Sequence, residues 1–224
     1  MRLALGFVLA ASALAAQTAP PAPSPHDRLE GRVPAAALPV IDSLVAQAVA
    51  ESLPTEPLVQ KALEGGAKGI PVDRLVNGVR RGLVQLRDAR AIVTRATPTR
   101  AALDGDVAAV AAALARGLDP RLVERLMAAT PAEPPGPVLH AAADLVAHGF
   151  PADSAADLLR TAQREGLRGT RLLDVAVAAS HELQREGGRT PMQALARVRA
   201  MLPNVPVAPP PHPRAVTRRA GPGS

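Results

Sequence analysis

The chain has 224 residues, no cysteine, tryptophan or tyrosine, two phenylalanines and a formal net charge of +6. The absence of cysteine excludes disulfides, zinc–thiolate sites and thiol catalysis. The scarcity of aromatic side chains argues against surfaces that stack nucleic-acid bases or sugars, because such surfaces depend on aromatic rings. Alanine and leucine dominate and clusters of β-branched residues bounded by turns are lacking, so the composition favours an all-α protein.

Residues 1–15 have the pattern of a secretory signal peptide. Arg2 supplies a positive start, an apolar run from Leu3 to Leu9 follows, and Ala13 and Ala15 fit a small-x-small cleavage site. We therefore expect cleavage after Ala15 and export to the periplasm or the medium. The apolar run is too short for an ordinary transmembrane helix, and no later segment is long and apolar enough to be one.

Composition divides the remaining chain into three segments. Residues 16–33 are rich in proline, which predicts a disordered linker, and residues 203–224 are rich in proline and arginine, which predicts a disordered tail. Residues 34–202 carry apolar patterns with a helical period, which predicts one domain of about nine short antiparallel helices, arranged as a bundle or an array. This domain is long enough to bury a core of its own.

Residues 53–88 are predicted to form two helices joined by a glycine-rich turn. Thr55 is placed to cap the first helix, and we expect Gly65, Gly66 and Gly69 to stop it, because glycine accepts the left-handed backbone of a helix end. Gly82 weakens the second helix by about 1 kcal/mol relative to alanine, unless it allows another helix to approach closely. The second helix carries an apolar stripe that we expect to face the core, namely Val72, Leu75, Val76, Val79, Leu83, Leu86, Ile92 and Val93.

Similar start and stop signals mark the other predicted helices. Pro39 suits the start of the first helix, and Thr97-Pro98 marks a boundary at which a capping residue precedes a first-turn proline. Later helices are expected at residues 101–116, 119–129, 138–148, 152–165, 170–185 and 190–202. For the first of these, a break or a new start at Asp104-Gly105-Asp106 stays open.

A short pattern recurs along the chain, in which an apolar residue, usually after glycine, precedes a new helix. The apolar members are Leu53, Ile70, Leu118, Phe150 and Leu167. Two interpretations stay open: a duplicated helical hairpin that stacks into an array, or ordinary punctuation in which glycine stops one helix and proline starts the next. The helical pattern resembles tetratricopeptide-type repeats only in its period, because the aromatic and glycine signature positions of that motif are absent, and no residue role is carried over.

Positive charge is concentrated in one predicted helix. Residues 71–100 contain seven arginines against two aspartates. This helix is either a binding stripe for a membrane surface, an envelope polymer or an acidic protein, or a solvated face whose arginine stems cover apolar surface. We expect no nucleic-acid partner, because the chain carries an export signal. The candidate residues for an anionic partner are Arg74, Arg80, Arg81, Arg87, Arg90 and Arg95.

Two further patterns were considered for chemistry. His140, Asp144 and His148 fall along one helix face, where two of them are spaced to ligate a metal, but no fourth ligand is apparent. Ser180-His181-Glu182 cannot align as a catalytic triad, because neighbours in a helix point about 100° apart.

We therefore predict no catalytic, cofactor-binding or metal-binding residue. The sequence favours an exported, non-catalytic helical protein that binds a protein or belongs to the cell envelope. The alternative is binding of a polyanion or an anionic membrane surface through residues 71–100. Neither the identity of the partner nor the oligomeric state follows from the sequence.

Overall fold

The structure is a computed structural model that describes residues 23–185 and 189–204. These residues form ten α-helices and one short 3-10 helix, with no β-strand among them, so the predicted all-α class is confirmed. The predicted signal peptide and residues 205–224 of the predicted tail lie outside the described residues. The helices are α1 (Pro25–Leu29), α2 (Leu38–Ala50), α3 (Glu56–Ala67), α4 (Val72–Ala96), α5 (Asp104–Ala115), α6 (Pro120–Ala129), α7 (Gly136–Ala147), α8 (Ala152–Arg164), α9 (Arg171–Gln184) and α10 (Pro191–Met201), followed by the 3-10 helix Leu202–Asn204.

From α4 onward, each helix packs against the next helix but one. Helix α4 contacts α6, α6 contacts α8, and α8 contacts α10, while α5 contacts α7 and α7 contacts α9. The even-numbered and odd-numbered helices therefore form two rows that pack against each other. This is the arrangement of a stacked array of helical hairpins, in which each pair contacts its neighbours along the stack. None of the helices in the described residues combines the length and the hydrophobicity needed to cross a bilayer.

The recurring glycine–apolar pattern ends helices. At the end of α5, Gly117 has a φ of 87° and donates its N–H to the main-chain oxygen of Leu114 at 2.9 Å. The N–H of Leu118 donates to the main-chain oxygen of Ala113 at 3.1 Å. The same pair of hydrogen bonds, a Schellman cap, ends α2, α3, α7 and α8, with Ser52 in place of glycine at the end of α2. The glycine–apolar pattern therefore recurs because it ends one helix before the next begins. The array of helical hairpins is seen instead in the packing of alternate helices.

The predicted apolar stripe of α4 faces the core. Val72 and Val76 are partly buried, and the other members of the stripe are buried. Gly82 lies where α3 crosses α4, and a Cβ atom at this position would come 3.1 Å from Cδ2 of Leu58. The glycine therefore permits the close approach of the two helices.

Helix α3 does not stop at Gly65 and Gly66, as the sequence predicts, but continues past them. Both positions are used for close packing, because a Cβ at residue 66 would clash with the main-chain oxygen of Arg32, and one at residue 65 with the side chain of Leu75. Of the three glycines that were expected to end α3, only Gly69 has a left-handed backbone, with a φ of 62°.

The helical structure begins before residue 34, where the predicted domain starts. Ser24 forms a capping box with Asp27, in which the Ser24 N–H donates to Asp27 Oδ2 at 3.0 Å and the Asp27 N–H donates to Ser24 Oγ at 3.2 Å. Leu29 is fully buried. Helix α1 therefore belongs to the fold, although it lies within the segment predicted to be a disordered linker. With α1, the described residues form ten α-helices, where about nine were expected.

Two threonines that were predicted as helix N-caps act differently. Thr55 stands at the start of α3, but its side chain makes no capping hydrogen bond. Thr97 ends α4 instead of starting the next helix, since it is buried and its hydroxyl donates to the main-chain oxygen of Val93 at 2.8 Å. Helix α5 begins at Asp104, which agrees with the alternative start at Asp104-Gly105-Asp106 and not with a start at residue 101.

Candidate functional site

The arginines predicted to contact an anionic partner all lie on α4. Arg90 is partly buried and the other five are exposed. The structure separates the six into two sets. Arg87, Arg90 and Arg95 form hydrogen bonds or ion pairs with other helices or turns. Arg74, Arg80 and Arg81 form none with another helix or turn in the described part of the chain.

Arg87 and Arg90 hold the turn between α2 and α3. Arg87 makes a two-pronged ion pair with Glu51, in which Nε lies 2.7 Å from Oε2 and Nη2 lies 2.5 Å from Oε1. Hydrogen bonding in this pair lowers the pKa of the Glu51 carboxyl and raises that of the Arg87 guanidinium. Arg90 donates to the main-chain oxygen of Ser52, which has a positive φ at the end of α2. These two arginines are therefore structural ties between α4 and the end of α2.

Arg95 reaches from α4 to the next helix in its row. Its Nε and Nη2 atoms both lie 3.4 Å from Oε2 of Glu124 on α6. This distance is long for a charge-assisted hydrogen bond, and the Arg95 side chain is well exposed, so the pair stabilises the fold little. Arg95 links the two helices but keeps most of its contact with solvent.

The remaining three arginines form, together with Asn77 and Val84, a surface that we call the α4 outer face. Arg80 donates from Nη1 to Oδ1 of Asn77 at 3.0 Å. Within the described residues, no acidic side chain forms an ion pair with Arg74, Arg80 or Arg81. Val84 is 47% exposed and lies one helical turn beyond Arg80 and Arg81. The α4 outer face thus combines unpaired positive charge with an exposed apolar side chain.

A second basic surface, not predicted from the sequence, lies where α6, α8 and α10 meet. It is an open cleft of ≈ 710 Å³. The sequence does show Arg160 and Arg164 one turn apart on α8, but Arg199 comes from α10 and Thr130 from the end of α6. Only the stacking of alternate helices brings these residues together. We call this surface the arginine cleft; it is lined by Ala129, Thr130, Asp157, Arg160, Thr161, Gln163, Arg164, Arg168 and Arg199.

Two arginines of the cleft are held by acidic side chains. Arg168 places Nε 2.6 Å from Oε1 of Glu133, and it also donates to the main-chain oxygens of Gln163 and Leu167. Arg160 forms an ion pair with Asp157, three residues earlier on the same helix. The guanidinium of Arg168 is therefore fixed in position before any ligand arrives.

The other two arginines of the cleft have few partners. Arg164 donates from Nη2 to Oγ1 of Thr161 at 3.0 Å and has no acidic partner in the described residues. Arg199 makes no hydrogen bond or ion pair with any described residue. The positive charge of these two guanidiniums, from α8 and α10, is therefore not balanced by an acidic side chain among the described residues.

Gln163 supplies a buried polar group to the wall of the cleft. The residue is 4% exposed, and its Nε2 donates to Oγ1 of Thr130 at 3.1 Å. Its Oε1 atom is buried and has no hydrogen-bond partner. An unpaired buried acceptor costs about 1–3 kcal/mol.

His140, Asp144 and His148 do not converge on a common point. The Asp144 carboxylate pairs with Arg116 and lies 3.4 Å from Nε2 of His140. His148 instead places Nδ1 2.7 Å from the main-chain oxygen of Asp144. No group of three histidine, aspartate or glutamate side chains in the described part of the chain is arranged to hold a metal ion.

Ser180, His181 and Glu182 follow one another on α9. Glu182 is 7% exposed, and both of its carboxylate oxygens pair with arginines, Oε1 with Arg185 and Oε2 with Arg189. His181 is exposed. The glutamate therefore ties the end of α9 to the residues before α10.

Comparisons with protein-family models, with curated proteins and with solved structures found no match to this chain. No residue role is transferred from another protein. The two basic surfaces, the α4 outer face and the arginine cleft, are the features of the described residues from which a function is argued.

Proposed function

We propose that this protein is an exported, non-catalytic helical binding protein whose α4 outer face contacts a protein of the cell envelope. The observation that carries the proposal is that three arginines without an acidic partner in the described residues lie beside the exposed Val84. Arginine is enriched in protein interfaces and at their energetic hot spots. Stacked helical pairs also present extended surfaces of the kind that repeat proteins use for binding.

Affinity capture with the tagged mature protein tests this proposal. The test variant Arg81→Glu/Val84→Glu reverses a charge and removes the apolar side chain of the α4 outer face. A matched control, Arg121→Glu/Val177→Glu, makes the same chemical changes at an exposed arginine and an exposed valine elsewhere. Envelope proteins captured by the wild type and the control should be lost from the test variant in quantitative mass spectrometry. Capture of the same proteins by all three would overturn the proposal.

The exported location is argued from the signal-peptide pattern of residues 1–15. We expect protein recovered from the periplasm or the medium of its native cells to begin at Ala16. Amino-terminal sequencing measures this directly. Recovery of a cytoplasmic protein that retains Met1 would contradict export.

A second candidate function is binding of an anionic polymer or an anionic membrane surface through the same face. The specific observation in its favour is that Arg74, Arg80 and Arg81 are exposed and have no acidic partner in the described residues. Such binding releases counterions, so its affinity must fall steeply as salt rises.

Retention on heparin and on phosphatidylglycerol vesicles tests this second candidate. Replacing Arg74, Arg80 and Arg81 by glutamine should lower the salt concentration needed for elution. The matched control replaces three other exposed arginines by glutamine, Arg32, Arg121 and Arg197. Equal effects of the two triple variants would argue against a specific surface. Arg87 is left unchanged, because its loss would release the end of α2 from α4.

A further inference from the structure

We infer that the arginine cleft is a binding site for a phosphomonoester that carries hydroxyl groups, such as a sugar phosphate. The cleft shares no residue with the α4 outer face, so this inference stands or falls independently of the proposed protein partner. It is argued from the size of the cleft, its charge and the unsatisfied amide in its wall.

The size and lining of the cleft suit a small polar ligand. Its volume of ≈ 710 Å³ lies within the range of about 300–1,000 Å³ that is usual for small-molecule sites. Ala129 is the only apolar residue among those that line it. An apolar ligand would leave the guanidiniums of this wall desolvated and unpaired, which is costly.

The charge of the cleft selects an anion with several acceptor oxygens. Four arginines line the cleft. Arg160 is paired with Asp157 and Arg168 with Glu133, so Arg164 and Arg199 supply the positive charge that is not balanced among the described residues. A phosphomonoester carries nearly two negative charges at neutral pH and has three acceptor oxygens, so it can contact more than one guanidinium fork. Arg164 and Arg199 lack acidic partners in the described residues and come from two different helices, so they can approach the same phosphate from two sides.

The requirement that the ligand carry a hydroxyl group follows from the side-chain carboxamide of Gln163. One end of its carboxamide is bonded to the Thr130 hydroxyl, and the other end is buried without a partner. Exchanging the amide nitrogen and oxygen would not change this, since the second end would then present an unpaired N–H group instead of an oxygen. This end is covered by its neighbours, so a ligand hydroxyl must displace a side chain of the wall to reach it. A hydroxyl that does so can donate or accept a hydrogen bond and would satisfy either orientation.

Isothermal titration calorimetry with glucose 6-phosphate, glucose and inorganic phosphate tests the inference on the mature protein. Glucose 6-phosphate should bind, glucose should not, and inorganic phosphate should bind more weakly. Arg164→Gln and Arg199→Gln should each weaken glucose 6-phosphate binding by about tenfold, the usual loss for one charged hydrogen bond. Arg197→Gln is the matched control, because Arg197 is exposed on α10 two residues from Arg199 but does not line the cleft.

Gln163→Leu separates recognition of the hydroxyl from recognition of the phosphate. It should weaken the binding of glucose 6-phosphate and leave that of inorganic phosphate unchanged, in a variant whose circular dichroism matches the wild type. Vesicles containing phosphatidic acid, which presents the same phosphomonoester on a lipid, distinguish a lipid headgroup from a free ligand. Phosphatidic acid carries no free hydroxyl, so retention on these vesicles that Arg199→Gln abolishes, without binding of glucose 6-phosphate, would assign the phosphate to a lipid and overturn the hydroxyl requirement.

Two results would overturn the inference. One is the absence of binding to glucose 6-phosphate, inorganic phosphate and phosphatidic acid vesicles at millimolar ligand. The other is an equal loss of affinity in Arg197→Gln and Arg199→Gln. Binding of inorganic phosphate as tightly as glucose 6-phosphate would overturn the role assigned to Gln163.

Discussion

Arginine side chains tie stacked helices together in this protein. Three ion pairs, Arg28–Glu56, Arg116–Asp144 and Arg125–Asp153, each join a helix to the next helix but one. In each pair the arginine precedes its acidic partner by 28 residues. On α4, Arg81 and Arg87 look equivalent in sequence. Among the described residues only Arg87 has an acidic partner, Glu51, which lies 36 residues away. The sequence could therefore predict that the candidate arginines lie on one helix. It could not predict which of them pair with another helix or turn and which do not.

The burial of residues along α4 predicts that truncating two apolar side chains changes stability by very different amounts. Leu75 is 4% exposed and Val84 is 47% exposed. Leu75→Ala should destabilise the protein by about 2–5 kcal/mol, the usual range for truncation of a buried leucine. Val84→Ala should change stability by less than about 0.5 kcal/mol, as surface substitutions usually do. Urea denaturation followed by circular dichroism measures both, and equal effects would contradict the orientation of α4.

Two glycines should respond to alanine with opposite signs. At Gly66 an added Cβ meets the main-chain oxygen of Arg32, which cannot move aside as a flexible side chain would, so Gly66→Ala should cost about 1–3 kcal/mol. Gly105 lies in the first turn of α5 with nothing within 4 Å of an added Cβ. Gly105→Ala should stabilise by about 0.4–1 kcal/mol. Thermal melting of the two variants tests this, and a stabilising Gly66→Ala would show that α3 does not pack against Arg32.

At the scale of elements, α1 depends on its neighbours for stability. A helix of five residues is not stable alone in water. His26 Nδ1 lies 2.7 Å from Oδ2 of Asp42 on α2, and Arg28 forms two hydrogen bonds of 2.6 and 2.8 Å with Glu56 on α3. Leu29 is buried beneath these contacts. The position of α1 is therefore fixed by one buried leucine and two ion pairs.

The two ion pairs of α1 respond to pH with opposite signs. The hydrogen bond to Asp42 raises the pKa of His26 above its ordinary value of 6.5. The contribution of this pair to stability is therefore present below pH 6.5 and is lost as the pH rises through the raised pKa. The hydrogen bond from Arg28 lowers the pKa of Glu56 from 4.5 to about 2, so that contribution is present above pH 4.5 and is lost as the pH falls toward 2. Helix α1 should be held most firmly between these limits.

Titration by nuclear magnetic resonance measures both pKa values directly. The His26 ring should titrate above pH 6.5 in the wild type and return toward 6.5 in Asp42→Asn. The Glu56 carboxyl should titrate near pH 2 in the wild type and move toward 4.5 in Arg28→Gln. A His26 titration that Asp42→Asn leaves unchanged would contradict the docking of α1 on α2.

Most helices could be predicted because their signals are local. A helical period of apolar residues and a glycine at the helix end are properties of a few neighbouring residues, and they locate α4 and the caps at Gly69 and Gly117 correctly. Helix α1 was missed because its short proline-containing sequence gains its stability from contacts with α2 and α3. Likewise, Thr97 ends α4 because it is buried there, which its sequence neighbours do not reveal.

At the scale of the whole molecule, the stacking of alternate helices creates surfaces that no single segment contains. The arginine cleft combines Thr130 of the α6 end, Gln163 of α8 and Arg199 of α10. These residues are separated by more than 30 positions, and no local pattern connects them. The α4 outer face, by contrast, lies on one helix, and its position could be predicted from charge and period alone. The difference explains why one basic surface was predicted and the other was not.

Introduced cysteine pairs test the stacking, because the chain contains no cysteine of its own. Arg125 and Asp153 on α6 and α8 lie 2.6 Å apart between Nη2 and Oδ1, and Arg116 pairs with Asp144 between α5 and α7. The variants Arg125→Cys/Asp153→Cys and Arg116→Cys/Asp144→Cys should each form an intramolecular cross-link with a short bifunctional maleimide. Mass spectrometry identifies the linked peptides. Single-cysteine variants and denatured protein are the controls, and cross-links between molecules alone would contradict the array.

We propose that the protein acts by binding through the α4 outer face. Photo-cross-linking in living cells tests it most directly, with benzoylphenylalanine in place of Val84 and, as the control, in place of the equally exposed Val177 on α9. We expect a discrete protein adduct from position 84 that Arg81→Glu abolishes, and no such adduct from position 177. No adduct at position 84, or the same adduct at both positions, would contradict it.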